Sequence, residues 1–248
     1  MIMQKLKFSD NSKQAKLKHI PVELAPNRSI WSFNLPSGYS CPGANKCLSK
    51  ADKITGKITD GSKTLYRCFS ASDEARSPQA RKQRWDNFDQ LRKLDTESMI
   101  EAIQEALPCD CDICRIHVGG DFFNQKYFNA WVAVAKLNPT KTFYAYTKSL
   151  PYWVAQLDNI PSNLILNASR GTRVDFLIDE LNLKVAEVVF SITEAKEKNL
   201  PIDHNEYFAI NNNGNFALLL HGTQPKNSEA SQAIKDMKKS GVAYSYSR

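Results

Sequence analysis

The sequence lacks any long hydrophobic run. No stretch of it approaches the run of about 18 uncharged apolar residues that a membrane-spanning helix needs. The opening residues, MIMQKLKFSDNSKQAKLKH, interleave lysines with single apolar residues and contain no apolar core of a secretory signal. We therefore expect a cytoplasmic protein with no membrane partner.

The chain also lacks the cysteine density of a small secreted domain that is stabilised by disulfides. It has six cysteines in 248 residues, and a chain of this length can bury a hydrophobic core without covalent cross-links. Thiols in the cytoplasm stay reduced. The cysteines are therefore expected to be metal ligands, catalytic groups or buried small side chains.

Acidic residues are outnumbered by basic ones, which gives a net charge of +7 and a pI of about 9.0. The basic residues gather in an N-terminal segment, 1–29, and in the motif ARKQRW (Lys5, Lys7, Lys13, Lys16 and Lys18; Arg81, Lys82 and Arg84). This excess favours a nucleic acid or another polyanion as partner. A solvated basic surface without a partner explains the same charge.

Hydrophobic periodicity predicts an α/β protein. Strand-like segments lie at 30–35, 114–118, 142–148, 163–169 and 185–190, and helical segments at 77–91, 96–107, 124–137 and 174–181 alternate with the later strands. Successive β-then-α units imply parallel strands joined by right-handed crossovers. We expect a single domain, 1–248, that forms a complete or partial TIM-like barrel rather than an open doubly wound sheet.

Two irregular segments are predicted within this barrel. Residues 36–72 form a cysteine-containing loop after the first strand. At the C-terminus, YFAINNNGNFALLLHG predicts a β-hairpin around an Asn213-Gly214 turn, although further parallel strands compete with it. A helix at 228–239 and a final strand, VAYSY, complete the extension.

Polar residues follow the predicted strands at their carboxyl ends, where parallel α/β proteins collect their chemistry. The segments are the turn Gly119-Gly120-Asp121, then Lys148, Ser169 with Arg170, and His221. Each has a structural explanation as well: Asp121 suits a helix cap, Lys148 and Arg170 suit a solvated rim, and the nearby His117 suits a hydrogen-bonded core histidine. The repetition of polar residues after successive strands is what favours a functional site.

The trio Cys41, Cys47 and Cys68 suits a metal centre, because thiolates select zinc or iron–sulfur clusters. Structural zinc needs a fourth ligand, such as His221 or a cysteine of the second group, whereas a 4Fe-4S cluster tolerates three protein thiolates if a small molecule or another side chain occupies its last iron. The second group, Cys109, Cys111 and Cys114, precedes a strand. We expect it at the amino-terminal edge, as buried or incidental thiols, with a second metal site as the alternative.

Several stretches together resemble the phage gene product 88 family. They are IWSFNLPSGYSCPGANKC, YRCFSASDEARSP, RIHVGGDFF, FYAYTKSLP, NASRG and FALLLHGTQPKNSEA, and the resemblance as a whole covers about residues 11–248. The resemblance implies that the first cysteine trio, the Gly-Asp turn and the segments at Lys148 and Ser169 are family features. It implies a location in the host cytoplasm if the protein is phage-encoded, and little about activity.

The layout is also similar to that of radical S-adenosylmethionine enzymes, which hold a 4Fe-4S cluster with three cysteines after their first barrel strand. A Gly-Gly-Glu-like turn after the second strand binds the cofactor's amino group in that superfamily. The resemblance implies that Gly119, Gly120, Asp121 and Ser169 contact a cofactor. The cysteine spacing here departs from the C-x3-C-x2-C of that superfamily.

Three hypotheses for function follow. In the first, the trio binds a 4Fe-4S cluster in an enzyme that acts on a nucleic-acid or nucleotide-derived substrate, with Asp121 hydrogen-bonded to a cationic or amino group and with Lys148 and Arg170 neutralising phosphate or carboxylate. In the second, the metal is structural, and the KQRW segment with Tyr66, Phe69 and Trp85 binds nucleic acid. In the third, the thiols are redox-reactive without a metal.

Overall fold

The computed structural model describes residues 5–12, 18–211 and 214–242. Its strands are β1 (Phe8–Asp10), β2 (Ile30–Phe33), β3 (Ser49–Ala51), β4 (Ile58–Asp60), β5 (Ile113–Ile116), β6 (Thr142–Thr147), β7 (Leu164–Ser169), β8 (Val185–Val189) and β9 (Phe216–Leu219). Its helices are α1 (Phe69–Arg76), α2 (Pro78–Leu91), α3 (Thr96–Ala106), α4 (Gln125–Leu137), α5 (Leu150–Val154), α6 (Phe176–Glu180), α7 (Ile192–Glu197), α8 (Tyr207–Ile210) and α9 (Glu229–Lys239). No helix within these ranges is both long enough and apolar enough to cross a membrane.

Seven of the described strands form one open sheet in the order β1-β2-β5-β6-β7-β8-β9. All neighbours pair in parallel except β1, which is antiparallel to β2. The predicted TIM-like barrel is therefore wrong, although the α/β class and the parallel strands are confirmed. A barrel of that type closes with eight parallel strands. Here the antiparallel β1 occupies one edge of the sheet and β9 the other, and the two edges do not pair.

Both faces of the sheet carry buried hydrophobic residues, but only one of them is covered along its length. One face packs against α2, α3 and α4 around a large aromatic and aliphatic core that includes Phe33, Phe128, Trp131 and Phe143. The opposite face carries a smaller core, in which Tyr144 and Phe216 contact residues of the N-terminal segment and of α8. Because side chains alternate along a strand, the same strands also present polar residues on this second face. That face is left open toward the carboxyl ends of the strands.

The two irregular segments differ most from expectation. The predicted loop at 36–72 contains the hairpin β3–β4 and the start of α1. The predicted C-terminal hairpin is wrong, because its first half is the short helix α8 and β9 pairs in parallel with β8. Residue 213 of the expected turn lies outside the described residues, as does nearly all of the predicted strand VAYSY. The helix at 228–239 is confirmed as α9, with Ser228 as its cap.

Candidate functional site

A cavity of about 600 Å³ opens at the carboxyl ends of the parallel strands. It is lined by the three cysteines of the trio, by the segment His117–Asp121 after β5, by Lys148 after β6, by Ser169 at the end of β7, and by the segment Leu220–Gly222 after β9. This is the edge at which open α/β sheets bind their ligands. The structure thus brings most of the predicted site residues to one cavity.

The cysteine trio lies on the wall of this cavity. Cys41 accepts a hydrogen bond at its Sγ from the Gly38 N–H (3.3 Å), and Cys68 is the N-cap residue of helix α1. Burial raises the pKa of the Cys41 thiol well above its usual value, and the nearby charges of Asp121 and Cys68 add to the rise. Burial also raises the pKa of Cys68 to about 11, with a further contribution from Cys47. The three thiols are therefore electrostatically coupled, and without a metal they are protonated at neutral pH.

Glycine at position 43 lets the cysteine loop press against the end of β6. A Cβ at this position would lie 2.0 Å from the carbonyl oxygen of Lys148. The loop is also tied to the next strand end by a bridge between Ala44 and Thr172. The motif CPGANKC therefore needs its glycine for close backbone contact, because any side chain would push the cysteines away from the strand ends.

Both residues of the turn Gly119-Gly120 must be glycine, because the turn packs closely against the cysteine loop and α1. A Cβ on Gly119 would lie 2.1 Å from Ser70 Oγ, and one on Gly120 would lie 2.6 Å from Ser40 Oγ. Gly120 also has a φ of +90°, in the region that favours glycine. The two glycines predicted to contact a cofactor thus have a demonstrable structural reason in α1 and the cysteine loop.

A buried charged network joins the cysteine loop to α1. The Glu74 carboxylate accepts hydrogen bonds from the Ser37 N–H and hydroxyl (2.9 and 2.8 Å) and pairs with the Arg84 guanidinium (2.9 Å). Glu74 is 0% exposed and Arg84 5% exposed. Since Ser37 adjoins the turn that holds Cys41, and Glu74 lies on the helix that Cys68 caps, this network links the segments of the two cysteines.

The basic motif ARKQRW is mostly internal. Arg81 is buried and donates to backbone carbonyls, including that of Lys53 (3.2 Å), and Arg84 belongs to the buried network. Lys82 is exposed and pairs with Asp86, while Trp85 is buried. The arginines of this motif therefore stabilise the cysteine region instead of forming a basic surface for nucleic acid.

Asp121 links two strand ends. Its carboxylate accepts hydrogen bonds from the Phe122 N–H (2.7 Å), from Thr147 Oγ1 (2.7 Å) and from the Lys148 N–H (2.8 Å). Burial raises its pKa to about 6, against the lowering effect of these bonds. The cap of α4 is Asn124, not Asp121. Asp121 lines the cavity beside Cys41 and Cys47, whose pKa values its charge raises.

Lys148 and Ser169 form a second link across the strand ends. The Lys148 ammonium donates to the carbonyl and hydroxyl oxygens of Ser169 (both 2.8 Å) and to the carbonyl of Arg170 (2.7 Å). These three acceptors occupy the donors of the ammonium. Its positive charge still reaches the cavity, because it lowers the pKa of Cys47 against the larger effect of burial.

Arg170, predicted as a site residue, is directed elsewhere. Its guanidinium pairs with Asp179 (2.8 Å) and Glu187 (3.4 Å). The hydrogen bond with Asp179 raises the pKa of the guanidinium. Arg170 does not line the cavity, so the structure gives it no contact with a ligand there.

The floor of the cavity contains residues that the sequence analysis did not select. Arg115, on β5, forms an ion pair with the buried Glu206, and its guanidinium lies 5.1 Å from the ring centre of Tyr146. The Tyr144 hydroxyl donates to the same glutamate (2.5 Å). A charged residue in the middle of the apolar strand CRIHV was the available signal for Arg115, whereas Glu206 lies in an irregular segment that offers none.

Aromatic and histidine rings form one wall. The rings of Phe69 and His221 lie 4.7 Å apart, and Tyr66 also lines the cavity. Burial, together with the smaller effect of the Arg115 charge, lowers the pKa of His221 to about 4. Tyr66 and Phe69 therefore both lie on the wall of the cavity.

The described residues contain no group of three His, Cys, Asp or Glu side chains close enough to hold a single metal ion. Tetrahedral zinc–sulfur bonds of 2.3 Å place neighbouring sulfurs about 3.8 Å apart. The three thiols of the trio are therefore not placed as the ligands of one ion in this conformation.

The second cysteine group lies away from the cavity. Cys111 and Cys114 are buried in the core beneath α3 and α4, and Cys109 is exposed. The Lys141 ammonium donates to the carbonyl oxygens of Cys109 (3.1 Å) and Cys111 (2.7 Å). Since Lys141 directly precedes β6, the group lies at the amino-terminal edge of the sheet, where the sequence analysis expected it.

Comparison with known proteins identifies the family. The family model described as Gene product 88 matches residues 4–238. The Gene 88 protein of Mycobacterium phage L5 is 29% identical over 210 residues, which cover 78% of this chain and 82% of the phage protein. No solved structure matches the chain significantly, and these comparisons lend no support to the likeness to radical S-adenosylmethionine enzymes. The chain belongs to the Gene product 88 family.

Proposed function

We propose that the cysteine trio binds a 4Fe-4S cluster inside the cavity and that the protein is an enzyme acting there on a small, nucleotide-derived substrate. The observation that carries the proposal is the convergence of Cys41, Cys47 and Cys68, from two separate segments, on the wall of one cavity. Three thiolates leave one iron open to a small molecule. S-adenosylmethionine is one compound to assay at that position.

A cluster suits the trio better than a single zinc ion does. In a cluster the thiolates bind different iron atoms, so their sulfurs stand farther apart than the ligands of one ion. The trio shares a cavity wall, and no three His, Cys, Asp or Glu side chains in the part of the chain that the structure describes are placed to hold one metal ion. Zinc is the alternative metal, and it would require the trio to close together around a fourth ligand.

Burial raises the pKa of all three thiols of the trio and so disfavours thiolates, but two features of the surroundings offset part of this effect. A metal ligand must be deprotonated, and two features stabilise the resulting negative charge. The Lys148 ammonium lies close enough to Cys47 to lower its pKa, and the Cys68 thiol lies at the N-terminus of α1, where backbone N–H groups of Ser70 and Ala71 lower its pKa against the larger effect of burial.

The two other hypotheses receive less support. Nucleic-acid binding through the KQRW segment conflicts with the burial of Arg84 and Trp85. A redox site without metal requires reactive thiolates, whereas burial raises the pKa of all three thiols. The proposal therefore assigns Asp121 and Lys148 to the support of the cluster loop and leaves Arg170 outside the site.

Anaerobic purification followed by iron, acid-labile sulfide and zinc analysis tests the proposal. We expect about four irons and four sulfides per chain, in keeping with a 4Fe-4S centre held by cysteine thiolates. Cys47→Ser should lose most of both, and an exposed cysteine outside the cavity provides the matched control, Cys109→Ser. One zinc and no iron in the wild-type protein would overturn the cluster.

A further inference from the structure

One face of helix α1 lines the cavity. Phe69, Asp73 and Arg76 all belong to the cavity wall, and their spacing of four and then three residues places them on the same side of a helix. Glu74 lies on another side of α1, where it is buried in the charged network that links α1 to the cysteine loop. The helix therefore has one face for the support of the loop and another for a ligand of the cavity.

The described lining of the cavity contains four cationic side chains. Three of them are bound to other residues of the protein: Arg67 to Asp60, Arg115 to Glu206, and Lys148 to Ser169. The fourth, Arg76, is exposed at the mouth of the cavity. It makes no hydrogen bond or ion pair with any residue in the described part of the chain. Its guanidinium donors are thus available to a ligand.

The usual partner of Arg76 on its own helix is already engaged. An aspartate three residues before an arginine is placed to pair with it, and Asp73 has this position. The Asp73 carboxylate instead accepts a hydrogen bond from Arg84 Nη2 (2.8 Å), and Arg84 is held in place by its pair with the buried Glu74 (2.9 Å). The buried network therefore removes the acid that would otherwise neutralise Arg76.

Arg76 also has a structural explanation, which can be separated from ligand binding. It is the last residue of α1, and a positive charge at this end of a helix stabilises the carbonyl groups of the last turn. A lysine supplies the same charge. Only a guanidinium, however, offers two parallel N–H donors to the oxygens of a phosphate group. The two roles therefore respond differently to the substitution Arg76→Lys.

We propose that Arg76 binds the phosphate group of a substrate at the mouth of the cavity. This proposal rests on the proposed function, since it names the anionic group of the nucleotide-derived substrate. Helix α1 has eight residues and is therefore about 12 Å long. Because Cys68 caps its other end, a substrate of the size of a mononucleotide spans the distance from Arg76 to the cysteine trio. The cavity volume of about 600 Å³ lies within the range of small-molecule sites.

Isothermal titration of the anaerobically isolated protein tests the inference. The probes are AMP and ribose 5-phosphate, with adenosine and ribose as their uncharged counterparts. We expect saturable binding of at least one phosphate compound, and weaker binding of its uncharged counterpart. Arg76→Gln should weaken the binding of the phosphate compound about tenfold, the effect of a lost hydrogen bond to a charged group. Arg76→Lys should recover only part of this loss, because it restores the charge without the two parallel donors.

The matched control is Arg92→Gln, at an exposed arginine that ends the next helix, α2, outside the cavity. This variant should bind the phosphate compounds as the wild type does. Thermal unfolding of all three variants should show wild-type stability, because the substituted side chains are exposed.

Three results would overturn the inference: no binding of either phosphate compound, equal affinity of a phosphate compound and its uncharged counterpart, or equal affinity in wild type and Arg76→Gln. Iron analysis of the same wild-type preparation separates the two proposals. Phosphate-dependent binding by a protein that holds no iron refutes only the cluster. About four irons per chain without such binding refute only the phosphate site.

Discussion

The two cysteine groups lie at opposite edges of the same sheet and have different surroundings. Cys41, Cys47 and Cys68 line a cavity with charged residues around it. Cys111 and Cys114 are enclosed in an apolar core, with Cys109 exposed beside them. In sequence the second group is the more compact of the two. Position relative to the strand ends, not spacing along the chain, is therefore what separates a candidate metal site from structural thiols.

The support beneath each group differs in the same way. Under the trio, the charged side chains of Glu74 and Arg84 hold the loop and helix together. Around Cys111 and Cys114 the contacts are with apolar residues of the main core. Breaking the Glu74–Arg84 pair should therefore lower the free energy of unfolding far more than removing one buried sulfur from the core around Cys111 and Cys114.

The largest expected effect comes from Arg84→Met. Removing the guanidinium leaves the buried Glu74 carboxylate without its countercharge, and breaking a buried pair in this way costs about 3–5 kcal/mol of unfolding free energy. Urea denaturation measures the loss. The control is Lys82→Met, at an exposed lysine on the same helix, which should change stability by no more than about 0.5 kcal/mol. Similar values for the two variants would show that the network does not support the loop.

A smaller effect should appear in the pH dependence of stability. The pKa of His117 is lowered from 6.5 to about 3 by burial, so the unfolded chain takes up the proton first as pH falls. Its contribution to stability is thus present above pH 6.5 and is lost progressively as pH falls toward 3, by about 2 kcal/mol between pH 7.5 and pH 5. Urea midpoints at the two pH values measure this loss.

The comparison with His117→Asn isolates this histidine from other groups. His221, with its lowered pKa, acts in the same direction, and Asp121, with its raised pKa, acts in the opposite one. The difference in pH response between wild type and His117→Asn should therefore equal the His117 contribution. The core around the second cysteine group should add nothing to it, so Cys114→Ala should keep the wild-type pH response. Identical responses of all three proteins would contradict the assignment of a buried neutral imidazole.

The smallest effect is expected from Cys114→Ala itself. Loss of one buried sulfur from an apolar core should cost about 1 kcal/mol, and iron content should stay at the wild-type level. Denaturation and metal analysis of the same preparation measure both. Loss of iron from this variant would place a metal ligand in the second group and remove the distinction between the two edges.

Much of the fold was predictable from local pattern. The capped helix at Pro78–Leu91 and the strands β5 to β8 follow from hydrophobic periodicity and from capping and helix-ending residues, which are local signals in the sequence. Closure of the sheet was not predictable, because it depends on whether the edge strands pair. The antiparallel β1 contains three residues and gives too weak a pattern to be recognised.

The candidate site was predictable in outline but not in detail. The polar residues after successive strands indicated where Asp121 and Lys148 would meet, because parallel strands end at one edge. Sequence could not show that the Lys148 ammonium is hydrogen-bonded to Ser169 or that the Arg170 guanidinium pairs with Asp179. Side-chain direction at strand ends depends on loop conformation, which carries no periodic signal. For the same reason Glu206 was missed.

The most direct test of the account compares iron and acid-labile sulfide in two triple variants after anaerobic reconstitution. One replaces Cys41, Cys47 and Cys68 by alanine, and the other replaces Cys109, Cys111 and Cys114 by alanine. The account predicts about four irons and four sulfides in the second variant and almost none in the first. Equal iron in both variants, or its loss only from the second, would contradict a cluster at the cavity.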